Sequence, residues 1–223
     1  MISLDLENKP LHKQIYDIHR MYVEHKMDSI PFNNAFMPLF RAINSYDPDF
    51  KMPDLTYDPV ERLHYVDGER KLILFNGDIA STACAMMYKN RDVELFYIGD
   101  NDKVISLANM LDIKIHVENP KPILGKGFKT DKSIFRGVFK INKALEYALA
   151  NGYSTNILTG YIESPRHTFH KDVLNAYEKV IRIECPDFHI AKPLPNIDIA
   201  KQEVKINKKI FSYIIENIDK AST

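Results

Sequence analysis

The chain has no tryptophan, only two cysteines, no net charge and no long apolar run. Three of these four shortages exclude something. Cys84 and Cys185 are far apart and cannot form a four-cysteine zinc site by themselves. A formal charge of +0 supplies no global field to draw in nucleic acid or an anionic membrane. No apolar run approaches membrane-spanning length, and the opening MISLDLENKPLHK lacks the basic-then-apolar pattern of a signal peptide. The expectation is a free-thiol protein of the reducing cytoplasm with no membrane partner. The missing tryptophan carries no information about activity.

At 223 residues, with 45% hydrophobic and 27% charged, the chain can build one substantial α/β domain with an appendage. Residues 10 to 28 place Leu11, Ile15, Ile18, Met21 and Tyr22 at helical spacing, and a second helix is expected over 33 to 44. Pro48, Pro53 and Pro59 punctuate an irregular connector. Residues 1–60 therefore read as an N-terminal helical extension to an α/β domain over 61–223. Arg62 to Val66, then Asp67-Gly68, then Lys71 to Phe75 read as strand, tight turn and strand.

From there short apolar runs alternate with amphipathic ones. Strands are expected over 71–76, 93–98, 113–118, 155–160 and 180–184. Helices are expected over 79–90, 101–111, 134–151 and 169–179, with one or two more across 197 to 219. That alternation predicts a Rossmann-like parallel sheet with helices on both faces, whose ligands sit at the carboxyl ends of the strands.

The stretch LILFNGDIAST, residues 72–82, is a buried strand, a Gly-containing turn and a helix start. Such a corner presents free N–H groups and the positive end of a helix dipole. It serves either as an anion site or as one structural corner among several. Ser81 and Thr82 fall in the first helical turn, where a hydroxyl reaches a phosphate or a backbone donor. Between residues 119 and 143, Lys121, Lys126, Lys129, Lys132, Arg136, Lys140 and Lys143 face a single acid, Asp131. With Gly125 and Gly127 this is either a basic flap over phosphates or a solvated loop. Glu163, His167 and His170 have metal-like spacing, but Ser164-Pro165 starts the helix after Glu163, so no metal is assigned there.

Taken together, the order of these motifs resembles the PP-loop ATP pyrophosphatase superfamily, and within it the 7-cyano-7-deazaguanine synthases of queuosine biosynthesis. The family opens with strand, Ser-Gly-Gly-x-Asp-Ser, helix. Here Gly77 and Ser81 match, while Asn76 replaces the first serine, Asp78 the second glycine and Ala80 the aspartate. The arginine ahead of a long helix matches Arg136, and the strand ending in glycine matches Gly160. The later Arg-x-x-Phe matches Arg166 and Phe169, and Pro-Leu…Lys-x-Glu matches Pro193-Leu194…Lys201-Gln202-Glu203.

The resemblance spans about residues 68 to 206. It implies ATP with Mg2+, phosphates at Asn76, Gly77, Ser81 and Thr82, and cations from Lys126 and Lys129. It also implies catalytic roles for Arg136 and Lys201, beside which Asp78 is a catalytic candidate as a departure from the family pattern, and a small-molecule acceptor, a deazaguanine-type base, held by Gly160, Glu163, Arg166 and Phe169. The reaction would release AMP and pyrophosphate. The family's C-terminal cysteine cluster is absent, so no structural zinc is expected. Ala80 removes the family's metal-binding carboxylate. Asp78 then either repels a phosphate, by about 1 to 4 kcal/mol at effective dielectrics of 80 to 20, or takes over the metal. Alongside the enzyme stands a non-catalytic descendant that keeps the fold as a scaffold, a nucleotide sensor or a partner-binding protein. On that reading the N-terminal helices serve a homo-oligomer or a partner protein.

Overall fold

The computed structural model describes residues 69–118, 133–162, 171, 174–175, 177–178, 181–182 and 185–218. The expected N-terminal extension and the 62–68 half of the hairpin lie outside the described residues. Five strands, β1 (Lys71–Leu74), β2 (Val93–Ile98), β3 (Ile115–Glu118), β4 (Asn156–Thr159) and β5 (His189–Ala191), form one all-parallel sheet in the order β3-β2-β1-β4-β5. β1 and β2 are near-continuous apolar runs because both of their faces are covered. The helices are α1 (Ile79–Tyr88), α2 (Asp102–Leu111), α3 (Ser133–Asn151), α4 (Ile197–Lys205) and α5 (Lys208–Asn217).

Four of these helices start on an Asx side chain that accepts a backbone N–H. Asp78 caps α1, Asn101 caps α2, Asn196 caps α4 and Asn207 caps α5. The alternation of β1 and β2 then sorts the layers. Ile73, Phe75, Leu95 and Tyr97 point to one face, where they form a core with Ala83 and Cys84 of α1, Val104 and Leu107 of α2, Val204 of α4 and Ile214 of α5. The other face carries Phe96 and is covered by α3 through residues such as Ala144 and Ala148, with Tyr147 against Phe96. The small residues Ala83, Cys84 and Ala85 let α1 lie close to its neighbours. Burial pushes the Cys84 thiol up to about 12, so it behaves as an apolar filler and not as a nucleophile.

One expected strand is corrected. In the span 180–184, Ile181 is helical and Arg182 lies in the turn after it, and the fifth strand is His189–Ala191 instead. Leu174, Tyr177 and Ile181 are buried at helical spacing, so Ile181 belongs to a helix face and not to a strand. The phenol of Tyr177 donates to Asn142 Oδ1 at 2.8 Å, tying this helical stretch to α3.

Candidate functional site

β1 lies between β2, whose crossover runs outward through α1, and β4, which is reached through α3. The strand order therefore reverses between β1 and β4, and the crevice of such a sheet opens at that point, outside the carboxyl ends of the strands. The β1–α1 turn and the end of β4 meet there. A Cβ on Gly160 would stand 2.5 Å from the backbone N of Ser81, so the two segments are packed backbone to backbone. Gly77 turns the chain with φ +78°, a conformation that L side chains rarely adopt, beneath Val104 and Ile218.

The turn satisfies most of its own polar groups. The Ser81 N–H donates to Asp78 Oδ1 at 2.7 Å, and the Thr82 N–H donates to the Asp78 carbonyl at 2.9 Å. The buried Ser81 hydroxyl accepts from the Asn76 N–H at 3.2 Å and donates to the Asp78 carbonyl at 3.3 Å. The equally buried Thr82 hydroxyl donates to the Gly77 carbonyl at 3.4 Å. Both hydroxyls thus face their own backbone, a use that competes with phosphate binding. Among the described residues, the N–H groups of Ile79 and Ala80 are the donors of the first helical turn that remain open, and both residues are half-exposed.

A cation reaches this corner from the far side of the sheet order. Lys140 of α3 donates from Nζ to Asn76 Oδ1 at 2.9 Å. Sequence reasoning counted Lys140 in a basic segment but did not assign it to the site. It follows Arg136, in the first turn of α3, by four residues, but that spacing does not point to Asn76.

Of the expected site residues, Asn76, Gly77, Asp78, Ser81, Thr82 and Gly160 share the corner. Lys201 is exposed on α4, and no hydrogen bond or ion pair ties it to the turn. Lys126, Lys129, Glu163, Arg166 and Phe169 lie outside the described residues.

Two open N–H groups, a helix dipole and the Lys140 ammonium suit a phosphate oxygen. Asp78 uses one carboxylate oxygen as the helix cap and keeps the other, which suits Mg2+ held chiefly by a nucleotide's phosphates. Among the described residues no group of three His, Cys, Asp or Glu could hold a metal ion without such help.

Asp78→Ala is expected to destabilise the fold by about 1 kcal/mol through loss of the cap, whereas Asp78→Ser should stay within a few tenths. Thermal unfolding of the two variants checks this. Equal losses would mean that the cap bond contributes nothing.

No protein-family model matches the chain, and no curated protein matches it either. The fold class stands on the structure itself: an α/β protein with a five-stranded parallel sheet of Rossmann-like order. Among the described residues no helix is long and apolar enough to cross a membrane.

Proposed function

We propose that the chain is a PP-loop-type, ATP-dependent adenylating protein acting on a small-molecule acceptor, with a deazaguanine-type base as the first substrate to try. The observation that supports this most is the corner itself, where open N–H donors at the start of α1 and the Lys140 ammonium meet at the strand-order reversal. On this reading the ATP phosphates lie over Asn76, Gly77, Ile79 and Ala80. Lys140, with Arg136 and the flap lysines Lys126 and Lys129, neutralises the charge that develops as pyrophosphate leaves. Mg2+, held by Asp78 and the phosphates, would supply further charge neutralisation. An acceptor carboxylate or carbonyl oxygen attacks the α-phosphorus, the bond to the bridging oxygen breaks, and pyrophosphate departs. A nucleophile such as ammonia then displaces AMP. Gly160, Glu163, Arg166 and Phe169 belong to the acceptor side, and Lys201 to the catalytic set that the resemblance implies.

A second reading has its own observation. The inward-turned hydroxyls of Ser81 and Thr82 and the capping carboxylate of Asp78 favour a protein that binds nucleotide without turning it over. Calorimetric titration with Mg-ATP, run beside a pyrophosphate-release assay with the base supplied, separates the two. The adenylating reading expects binding with release, and Lys140→Ala should weaken binding at least tenfold. Binding without release, across a panel of acceptors, favours the second. No binding at millimolar ATP overturns both.

A further inference from the structure

The corner joining α4 to α5 reads Lys205-Ile206-Asn207-Lys208-Lys209. All three lysines are exposed, and Ile206, at 77%, is the most exposed large hydrophobic residue among those described. Among the described residues no carboxylate pairs with any of the three. The Lys205 ammonium stands 5.6 Å over the Phe211 ring, which keeps it at the corner. Lys208 and Lys209 are the first two residues of α5, and that first turn contains no acid. Cations there oppose the helix dipole, so they work against the stability of α5. The core needs only Ile210 and Ile214 from this helix. A chain with no net charge has therefore concentrated three cations without a carboxylate partner at one corner, Lys205 where the end of α4 favours a cation and Lys208 and Lys209 where the start of α5 disfavours one.

The corner is also apart from the strand-end crevice. Ile218, just past α5, packs against Gly77 at the carboxyl edge of the sheet. Ten helical residues place the start of α5 about 15 Å from that contact. A ligand at the β1–α1 turn leaves the corner free.

From these observations we infer that the α4–α5 corner is a docking surface for a nucleic-acid duplex, with Lys205, Lys208 and Lys209 on backbone phosphates and Ile206 against the sugar edge. Charge complementarity selects this partner, because a duplex presents one negative charge per about 1.7 Å of its axis. A bilayer is the poorer match. The other exposed isoleucines of α4, Ile197 and Ile199, lie about 10 to 13 Å away toward the helix start, so the corner offers a single apolar side chain. The contact reads phosphates and carries no base specificity.

The test is fluorescence anisotropy of labelled mixed-sequence 20-base-pair DNA and RNA duplexes with the full chain, without nucleotide, from 25 to 200 mM salt. Three phosphate contacts predict a log–log salt slope of about −2.7 or steeper. Replacing all three lysines with glutamine should weaken binding at least tenfold at low salt and flatten the slope by about 2.7, while the arginine triple variant retains binding. The glutamine variant should melt close to wild type, since relief of α5 from Lys208 and Lys209 offsets the loss of Lys205 from the end of α4 and from the Phe211 ring. The inference is overturned if that variant binds as wild type does, which would move the surface elsewhere, or if neither duplex binds. Retention on phosphatidylserine vesicles with no duplex binding would overturn it in favour of a membrane. None of these outcomes depends on ATP binding at the β1–α1 turn.

Discussion

Gly160→Ala is expected to be among the most damaging single-methyl additions in the chain, with a loss of about 3 kcal/mol and a drop in melting temperature of about 6 to 12 °C. The new Cβ would meet Ser81 N at 2.5 Å, Ala80 C at 2.7 Å and Ser81 Cα at 2.7 Å. These are backbone atoms, which cannot swing away as a side-chain tip can. Either the end of β4 or the start of α1 has to move. Moving α1 breaks the Ser81–Asp78 cap and displaces the Ile79 and Ala80 N–H groups, so nucleotide binding should fall with stability.

Gly77→Ala is the instructive neighbour. It adds strain at φ +78°, but its nearest contacts are side-chain carbons, Val104 at 3.0 Å and Ile218 at 3.1 Å, which can give. It should cost less, about 2 kcal/mol. Gly137, in α3 with nothing within 4 Å of an added Cβ, is the control and should tolerate alanine or gain slightly from it. Thermal unfolding of the three variants ranks them. A melting temperature for Gly160→Ala within a degree of wild type would show that β4 and α1 are not in backbone contact.

Much of this fold was legible because burial leaves a period in the sequence. The run LILF is continuously apolar and VELFYI is so but for Glu94, and buried parallel strands favour such runs. The fifth strand was misplaced because a short apolar run suits a strand and a helix end alike, and Ile181 lies on a helix face with Leu174 and Tyr177. The true strand, with only Ile190 fully buried, is too short to carry a period.

At the candidate site, the strand–turn–helix corner could be read from Gly77 and the residues around it. The direction of the Ser81 and Thr82 hydroxyls could not. A hydroxyl in a first helical turn can face a ligand or its own backbone, and the surrounding fold decides which. Lys140 was hidden for a different reason. It meets Asn76 across 64 positions of sequence, and nothing local marks one lysine of a basic run as the one that reaches.

Glu94 shows the same limit, and it supports the second large prediction. It sits fully buried in β2, level with Leu72 at the amino end of the sheet and away from the candidate site. Its carboxylate accepts from the Tyr153 phenol at 2.6 Å, with Lys114 Nζ at 2.9 Å and Arg70 Nη2 at 3.6 Å. Burial alone would push the carboxyl up, but the Tyr153 hydrogen bond and the two cations together hold it below the ordinary carboxylate range.

Glu94→Ala should therefore destabilise the fold by about 2 to 3 kcal/mol, below the full value for a broken buried pair because Lys114 and Arg70 can turn to water. Glu94→Gln keeps an acceptor for Tyr153 and should cost about 1 kcal/mol. The pH dependence follows from the direction of the shift. A depressed folded-state value contributes stability that is complete above the unfolded value, about 4.3, and is lost as pH falls through the folded one.

The gap between wild type and Glu94→Gln should hold from pH 7 to about 5.5 and narrow below about 4.5. Glu146, raised by burial and by Glu118 against the pull of Lys143, contributes with the opposite sign, but it is common to both proteins and cancels in the difference. Urea unfolding at pH 7, 5.5, 4 and 3.5 measures that gap. A gap that stays constant down to pH 3.5, or widens, would mean that the carboxylate is not what Tyr153, Lys114 and Arg70 stabilise. Tyr147 of α3, the helix that carries Lys140, donates its phenol to Glu94 at 3.4 Å, and on that outcome its tie to this part of the sheet would rest on the ring stack with His116, at 4.0 Å.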